Sequence, residues 1–305
     1  MDKTDEQLLE TIADLHGIPE GSFNIRKNGK LLARKSDTDI EIVPKKDKDG
    51  IDIIVKANVK NKAVHIPVLL TVGDFRDTVY NDFFIGENAD VTIVAGCGIH
   101  NATCSDAEHD GIHTFYVSKN AKVRYVEKHY ANGEGTGKKV FDPITKIYLK
   151  EGSCFILEST QLGGVTSSDR KTFATVGKNA QLIVKEKILT DRQEEAITDF
   201  RVKLSGKGSR ADIVSRSVAR GNSKQSFRSD MIGKNECFGH VECDGIVLDS
   251  ARIISTPKID AVSPSASLVH EAAVGKIAGE QLLKLMSLGL TEQEAEDAVI
   301  QGFLN

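Results

Sequence analysis

The sequence contains no tryptophan, and aromatic residues make up only 6% of the chain. Carbohydrate-active enzymes built on stacked strands use aromatic platforms beside paired carboxylates, so this scarcity disfavours that class. A surplus of basic residues is also lacking. The net charge of −4 argues against general nucleic-acid binding, which usually shows a clustered basic excess.

Long apolar runs are absent as well. No run approaches the roughly 20 residues that a membrane-spanning helix needs. The N-terminus lacks the positive-then-apolar pattern of a secretion signal. The five cysteines are irregularly spaced in a chain of 305 residues, which is long enough to bury a core without a disulfide framework. We therefore expect a cytoplasmic protein with reduced thiols and neither a membrane nor a nucleic-acid partner.

A nucleotide-binding loop is missing too. The stretch NGEGTGKKV (132–140) resembles a phosphate-binding loop only superficially. It lacks the first glycine at the required spacing, and Lys139 stands where Ser or Thr should follow Gly-Lys. We interpret it as a surface loop, so any ATP hydrolysis must take place on a partner.

The middle of the chain repeats itself. Five segments share a turn with Asn or Gly followed by alternating apolar residues, and the Asn/Gly residues are 88, 120, 152, 179 and 208. Spacings of about 30 residues are typical of stacked supersecondary units. Asn and Gly suit turns with positive φ, and the alternation indicates strands. Since little room is left for helices, we predict a mainly β fold with a solenoid core, and a β-propeller is the structural competitor.

The two ends differ from this core. Residues 4–17 have the apolar spacing of an amphipathic helix, with Thr4 and Gln7 as a capping box. From 22 to 62 the alternation and the KKDKDG turn at 45–50 predict hairpins or short strands. We divide the chain into an N-terminal helix (1–20), a β-solenoid core (21–260) and a C-terminal helical region (261–305).

The C-terminal region carries the most specific pattern. Cys243 lies in a short apolar run that indicates a strand, and a helical spacing of apolar residues is predicted to open at His270-Glu271. Gly289 is placed to end that helix, and Thr291 with Glu294 forms a capping box for the next one. Several short motifs follow in order: His270-Glu271-Ala272, Gly275-Lys276-Ile277, Glu280-Gln281-Leu282, Gly289-Leu290, Glu292–Ala295 and Gly302-Phe303.

This order of motifs resembles the C-terminal region of the SufB/SufD family, the scaffold proteins of the Suf iron–sulfur cluster assembly system. Weaker similarity extends back to about residue 80. The resemblance implies a right-handed parallel β-helix core. It also implies a scaffold without catalytic activity of its own, a transient iron–sulfur cluster and a sulfur donor protein. Further partners would be a SufC-like ABC ATPase and a second subunit, in a homodimer or a heterodimer with a paralogue.

The resemblance assigns roles to three residues. From the residues alone, Cys243 is explained as a small buried apolar side chain and Glu271 as a glutamate of a first helical turn. In the family, a cysteine and a glutamate at these positions serve cluster assembly, and a histidine at the position of His270 matters in SufD-type relatives. Thiolate is the ligand that iron–sulfur chemistry requires. SufD-type chains tend to replace the cysteine and the glutamate, so this chain is SufB-like in its site.

A second group of possible ligands lies between residues 97 and 113. Its members are Cys97, His100, Cys104, His109 and His113, with Asp106 among them. Thiol and imidazole groups at this density suggest zinc or iron, although the spacing matches no common zinc module. A polar loop with scattered histidines is the alternative. We expect Cys154 to point into the solenoid as core. SufB-type chains often carry a cysteine-rich motif at the N-terminal end, and this chain has no cysteine before Cys97.

The C-terminal helices would bind the ATPase. Candidate contacts are Leu282, Leu285, Met286 and Leu290, although the same apolar face could instead cover the open edge of the solenoid. Two other functions remain open. One is a structural SufD-like subunit without its own cluster, and the other is a β-helix carbohydrate-active enzyme.

Overall fold

A computed structural model describes residues 2–304. The chain forms a parallel β-solenoid of about 8 turns, with 57% of its residues in strands and 11% in helices. The predicted mainly β solenoid with terminal helices is therefore confirmed, and the β-propeller is excluded. In chain order the elements are α1 (Lys3–Ala13), β1 (Ser22–Lys27), β2 (Lys30–Lys35), β3 (Ile40–Pro44), β4 (Gly50–Val55), β5 (Lys62–His65), β6 (Val68–Leu70), β7 (Phe75–Ile85), β8 (Asp90–His100), β9 (Ala107–Val117), β10 (Lys122–Asn132), β11 (Lys139–Phe141), β12 (Ile144–Leu149), β13 (Cys154–Gln161), β14 (Ser167–Val176), β15 (Gln181–Thr190), β16 (Glu195–Leu204), β17 (Ser209–Ala219), β18 (Lys224–Gly233), β19 (Cys237–Val247), β20 (Arg252–Ala261), β21 (Ala266–Gly275), α2 (Gly279–Ser287) and α3 (Glu292–Leu304).

The strands form two sheets with the core between them. Sheet A has the order β2-β1-β5-β8-β10-β13-β15-β17-β19-β21, with β6 beside β1 and β8. Sheet B has the order β20-β18-β16-β14-β11-β9-β7-β4-β3, with β12 beside β14 and β9. The antiparallel hairpins β1–β2 and β3–β4 begin the two sheets, which confirms the predicted hairpins. From β7 onward the chain alternates between the sheets, so neighbouring strands in a sheet are one turn apart.

Side chains alternate between the interior and the outer surface along each strand, as β15 and β19 show. Every second side chain of a strand points to the same face of the sheet. The long parallel pairs stay in register, so like positions stack along the axis. Phe83 and Phe115, for example, stack with ring centroids 4.2 Å apart. Burial of these stacked apolar side chains is the main source of stability.

The five predicted turn residues all have a left-handed backbone, with φ between 52° at Asn179 and 72° at Gly208. Their side chains also stack: Asn120 Nδ2 donates to Asn88 Oδ1 at 3.3 Å. Glycine is required in the next turn, since a Cβ at Gly152 would lie 2.4 Å from Asn120 Oδ1. The repeat signal in the sequence therefore marks the corners of the solenoid.

Helix α1 covers the outer face of sheet A over β8. Leu8, Leu9 and Ile12 are fully buried there. The predicted capping box of Thr4 and Gln7 is wrong, because the helix begins at Lys3 and Thr4 lies inside its first turn. Instead Asp2 Oδ1 accepts from Asp5 N at 2.9 Å, and Asp5 Oδ2 accepts from Asp2 N at 3.0 Å.

The helical pattern predicted to open at His270 is also wrong. Residues 266–275 form β21, which pairs with β19 over ten consecutive positions, and α2 begins only at Gly279. The free edge of β19 offers a row of backbone hydrogen bonds, which decides the local structure against a weak helical spacing. The later signals are confirmed: Gly289 has φ 100°, and Thr291 N donates to Glu294 Oε2 at 2.8 Å.

The C-terminal helices do not cover the last turn of the solenoid. Arg216 of β17 donates to Phe303 O of α3 at 3.3 Å, so α3 lies against β17. Most side chains of β20 and β21 are exposed. Among the helices of residues 2–304, none is long and apolar enough to cross a membrane.

The contact between α1 and β8 gives a first prediction. A Cβ at Gly96 would lie 2.3 Å from Ile12 O, a backbone atom that cannot move without shifting the helix. We expect Gly96→Ala to lower the free energy of unfolding by about 1–3 kcal/mol, as overpacking does. Urea unfolding followed by circular dichroism measures this.

Gly98→Ala is the matched control. A Cβ at Gly98 would meet the flexible end of Leu8, with Cδ2 at 3.1 Å. This substitution should cost clearly less than Gly96→Ala. Equal effects of the two substitutions would contradict the backbone contact as the cause.

Candidate functional site

Cys243 lies on the inner face of β19, the second-last strand of sheet A. Its neighbours in register are Ser215 on β17 and Ala272 on β21, and only 1% of the residue is exposed. Burial raises the pKa of the thiol to about 11, against the opposite effect of the Ser255 hydroxyl. At neutral pH Cys243 is therefore a protonated and enclosed thiol rather than a free thiolate.

His270 and Glu271 point to opposite faces of the edge strand β21. His270 is in register with the buried Val241, and Glu271 is in register with the outward Glu242. Because Cys243 also points inward, His270 shares its side of the sheet and Glu271 does not. The structure thus brings two of the three predicted cluster-assembly residues to one face.

His270 has a ring that no described residue binds. Both ring nitrogens are buried and have no hydrogen-bond partner within residues 2–304. Burial, with a smaller effect from His240, lowers the pKa of His270, which keeps the imidazole neutral at physiological pH. A neutral, unpartnered imidazole is free to bind a metal ion.

Glu271 contacts a group that the sequence analysis missed. His240 Nδ1 lies 2.9 Å from Asp212 Oδ1, and His240 Nε2 lies 3.6 Å from Glu271 Oε2. The hydrogen bond with Asp212 is the main cause that raises the pKa of His240. The spacing His240-x-Glu242-x-Asp244 was the available signal, since alternate residues of a strand share a face.

The second predicted group is only partly brought together. His109 is buried, and its Nδ1 lies 3.2 Å from Asp77 Oδ2. Cys97, on β8 of sheet A, faces His109, on β9 of sheet B. Burial opposes a charge on this ring, yet Cys97 and Asp77 together raise its pKa to about 10. Cys97, His109 and Asp77 form one buried ionisable cluster.

The other three members of that group have separate partners or lie apart. His113 Nδ1 is 2.6 Å from Tyr125 Oη, and His100 Nδ1 is 2.8 Å from Asn132 Oδ1. Cys104 is exposed. A metal site shared by Cys97, His100, Cys104, His109 and His113 stays a prediction, and in the structure these five side chains do not converge on one point.

Among the described residues, three acidic side chains do converge, but on the outer surface. They are Glu108, Asp110 and Asp142. Arg76 compensates them, with Nη2 at 3.2 Å from Glu108 Oε1 and 2.9 Å from Asp110 Oδ2. We interpret this cluster as an ion-paired part of the surface.

A line of buried polar side chains runs along the interior and ends at Cys243. Glu127, Ser159, Glu186, Ser215 and Cys243 occupy matching positions on successive strands of sheet A. Glu186 accepts from Ser215 Oγ at 2.8 Å. This line was not predicted from the sequence, because its members are about one repeat apart.

Arg170 compensates the carboxylates of this line from sheet B. It forms a very short ion pair with Glu127, and its Nε lies 3.8 Å from Glu186 Oε1. Burial raises the pKa of Glu127, but Arg170 and the nearby histidines outweigh it and bring the value to about 2. Arg170 Nη2 also lies 3.0 Å from His129 Nδ1, and burial lowers the pKa of His129 to about 3. The interior around Glu127 and Arg170 is therefore polar and charged, whereas Cys243, four strands from Glu127, lies in the apolar core.

All five thiols are free. The prediction that Cys154 is a core residue is wrong. Cys154 opens β13 in register with Lys122 and Gln181, and its side chain lies on the outer face, half-buried. Phe155, one residue later, takes the interior position.

The predicted ATPase-binding residues lie on and beside α2. Leu282, Leu285 and Leu290 are half-buried, and 37% of Met286 is exposed. Two neighbours that were not predicted are more exposed, Leu283 at 66% and Leu288 at 81%. This pair of helices therefore presents an apolar surface to solvent.

The chain is a parallel β-solenoid with an interior thiol near its C-terminal end and a pair of C-terminal helices. Residues 80–303 match the family model described as the SufBD core domain of the SUF system for FeS cluster assembly. This match covers most of the sequence, so the chain belongs to the SufBD family.

Curated relatives agree. An iron-sulfur cluster assembly SufBD family protein of Archaeoglobus fulgidus is 32% identical over 280 residues, covering 90% of this chain and 73% of the relative. One of Methanothermobacter thermautotrophicus is 32% identical over 241 residues, covering 77% of this chain and 57% of the relative. One of Methanocaldococcus jannaschii is 27% identical over 296 residues, covering 95% and 92%. The chain thus spans little more than half of some relatives and nearly all of others.

The interior ion pair gives a second prediction. Glu127→Gln leaves Arg170 buried beside a neutral partner, and breaking a buried pair in this way costs about 3–5 kcal/mol of unfolding free energy. The matched control is Glu158→Gln, which removes an exposed pair with Arg124 Nη2 at 2.6 Å and should cost about 0.2–1 kcal/mol. Chemical denaturation of both variants measures the difference.

The same pair predicts a dependence on pH. In the folded chain the pKa of Glu127 is about 2, below the ordinary 4.5 of a glutamate. The stabilisation from its charged form is therefore complete above pH 4.5 and is lost as the pH falls toward 2. Glu127→Gln should remove this part of the acid slope. An unchanged acid slope would contradict the assignment of the low pKa to Glu127.

Proposed function

We propose that this chain is a scaffold subunit on which iron and sulfide assemble into a cluster, with Cys243 as the thiolate ligand or persulfide acceptor. The observation that carries the proposal is that Cys243 and the unpartnered His270 face the same side of the last two strands of sheet A. Thiolate and imidazole suit iron. Family membership supports the role in cluster assembly.

The protonated state of the Cys243 thiol is consistent with a ligand that loses its proton only when the metal binds. Burial raises the pKa of this thiol to about 11, so at neutral pH it is mostly protonated and not in the nucleophilic thiolate form. Metal binding displaces the proton, because the thiolate is the form that binds. Glu271 would add an oxygen ligand, which requires β21 to move, since its side chain points to the other face.

The remaining parts of the proposal concern partners and place. A SufC-like ABC ATPase would bind the apolar surface of α2 and α3. A sulfur donor protein would transfer the outer sulfur of its own persulfide to the Cys243 thiolate and leave as a free thiolate, and an external reductant would supply the two electrons that release this sulfur as sulfide. The exposed edge strands β20 and β21 suit a second subunit, either another copy or a paralogue. The lack of a phosphate-binding loop agrees with ATP hydrolysis on the partner, and we expect the complex in the cytoplasm.

A structural SufD-like subunit is the second candidate. The opposite orientation of Cys243 and Glu271 favours it, because the three residues do not form one ligand set as they stand. Cluster binding by the isolated chain distinguishes the two, since both subunits would bind the ATPase.

A carbohydrate-active enzyme has less support. The outer face of sheet B does carry an exposed aromatic row of Phe84, Tyr116 and Tyr148. However, these rings stack on one another at 5.2 and 5.5 Å with nearly parallel planes. Their faces are therefore covered by each other and are not platforms for a sugar.

The thiol gives the third prediction. Anaerobic reconstitution with iron and sulfide, followed by visible absorption and iron counting, should yield a thiolate-to-iron band in the native chain co-expressed with its ATPase. Cys243→Ala should abolish this band, because Cys237, the other inward thiol of β19, begins the strand six residues earlier and so lies about 20 Å away. Cys104→Ala, which removes an exposed thiol, is the matched control and should keep it. A stoichiometric cluster in Cys243→Ala would contradict the role of Cys243 as a cluster ligand.

The helix pair gives the fourth prediction. Met286→Asp should reduce co-purification of the ATPase at least tenfold while the melting temperature stays the same, because the side chain is partly exposed on the apolar surface. Thr11→Asp, on the exposed side of α1, is the control. Undiminished ATPase recovery with Met286→Asp would move the binding surface elsewhere.

A further inference from the structure

A cleft of about 600 Å³ lies at the corner of the solenoid where sheet A passes to sheet B. Segments 131–134, 162–164 and 191–194, from three successive turns, line it. The loop of the first turn bends toward the preceding turn, since Gly135 N donates to Asn101 O at 3.1 Å. The next corner is short and has Gly163 and Gly164, which add no side chains. The cleft is therefore a step in the surface between a folded-back loop and tight corners.

Lys139 lines this cleft from β11 and is the most enclosed cation in it. Only 9% of the residue is exposed. Its side chain points to the same side of the strand as the buried Phe141, two residues later. Within residues 2–304 the Lys139 ammonium forms no ion pair and no hydrogen bond, although its backbone N–H donates to Thr166 Oγ1 at 3.1 Å. An enclosed ammonium without a partner is unfavourable, so an anion that enters the cleft would meet a charge that the protein leaves uncompensated.

Arg192 is the second cation without a partner. It has a left-handed backbone with φ 54°, where the corners of the next two turns have Gly221 and Asp249. An arginine takes this backbone less readily than glycine, aspartate or asparagine. Its side chain is exposed, lines the cleft and forms no ion pair within the described part of the chain. A residue in an unfavourable backbone conformation that supplies a free charge to a cleft indicates a role for that side chain.

The carboxylates of the cleft do not neutralise these two cations. Asp191 Oδ2 lies 3.1 Å from Arg220 Nε, so these two charges pair with each other. Glu194 Oε2 accepts from Asp191 N at 2.9 Å. Burial raises the pKa of Glu194 and outweighs its hydrogen bonds and the nearby arginine, which disfavours its charged form. Glu134 is exposed, so solvent screens its charge.

We propose that this cleft binds a phosphate monoester, with Lys139 and Arg192 as the charge partners of its phosphate group. Such a group carries about two negative charges at neutral pH, which matches the two free cations. Lysine binds phosphate as a point charge and arginine binds it with parallel N–H groups. The volume of the cleft suits a small organic molecule rather than a bare ion. Neither Cys243 nor His270 lines the cleft, so this site is independent of the proposed function.

The test is calorimetric titration of the full chain with ribose 5-phosphate as the probe. We expect one equivalent to bind, inorganic phosphate to compete with it, and ribose without the phosphate group not to bind. Lys139→Met removes the charge and keeps much of the length of the side chain. This substitution and Arg192→Asn should each weaken binding at least tenfold, because each removes a charge-assisted contact to the phosphate.

The chain offers a matched control and a check on folding. Lys138→Met changes the preceding lysine, which is exposed and does not line the cleft, and should leave the dissociation constant unchanged. Arg192→Asn introduces the residue that Asn120 and Asn179 provide at other corners of the solenoid. It should therefore keep or raise the melting temperature while binding is lost, which a purely structural role of Arg192 would not produce.

The outcomes decide the proposal. If the native chain does not bind ribose 5-phosphate, or binds succinate equally well, the phosphate site is overturned. Equal affinities of Lys138→Met and Lys139→Met would also overturn it. If Lys139→Met does not fold, Arg192→Asn decides: lost binding supports the site and unchanged binding contradicts it. Failure of cluster assembly on Cys243 would leave this result unaffected, since the titration needs no iron or sulfide.

Discussion

The in-register hydrogen-bond ladder between strands one turn apart is the constraint on which the rest of this structure depends. A parallel pair without slippage places like positions of every turn in one line, and a shift by one residue would exchange the interior for the surface. The corner residues hold this register. Asn88, Asn120 and Asn179 take the left-handed backbone that a tight turn needs, and their spacing sets the length of each turn.

The ladder also decides which chemistry the protein can bring together. Cys243 and His270 both point to the interior because their partners in register are interior positions. Glu271 comes one residue after His270 in the strand, so its side chain points to the outer face. The same rule places His240 and Glu242 with Glu271 outside. The Cys243 thiol is thereby separated from the carboxylates of the outer face, and its enclosure protects it from oxidation. The interior line from Glu127 to Ser215 brings polar side chains up to Cys243, which itself lies at the end of the apolar core.

Much of this could be predicted from the sequence, and the failures have physical reasons. The turn residues carry a local signal, since Asn and Gly accept a left-handed backbone more readily than most residues, so the period of the solenoid could be predicted. The structure of the stretch after Val269 could not be predicted, because its apolar residues fit a helix and a strand about equally. Hydrogen bonding to the free edge of β19 makes it a strand. The interior position predicted for Cys154 was wrong because the side chains of β13 alternate in the opposite sense. Cys154 points outward, and Phe155, the next residue, points to the interior.

The site was predictable only in part for a similar reason. The choice of Cys243, His270 and Glu271 as site residues stays a prediction from the resemblance, and the sheet face to which each side chain points depends on strands β19 and β21, which the sequence did not define. Arg170 could not be linked to Glu127, nor Asp77 to His109, because each pair is joined across sheets or turns by residues more than 30 positions apart. Such pairs acquire meaning only once the register is known.

Strand β21 differs from the other strands that carry the site. It is the last strand of sheet A and pairs with β19 alone, whereas β19 is held on both sides. Strands with one neighbour and exposed side chains open at lower free energy than those in the centre of a sheet. A movement limited to β21 would carry His270 and Glu271 together and leave Cys243 in place. Since α2 follows β21 after only three residues, a partner bound to the helix pair would act directly on the strand that carries His270 and Glu271. In the proposed function, this one edge strand would connect ATPase binding with cluster chemistry.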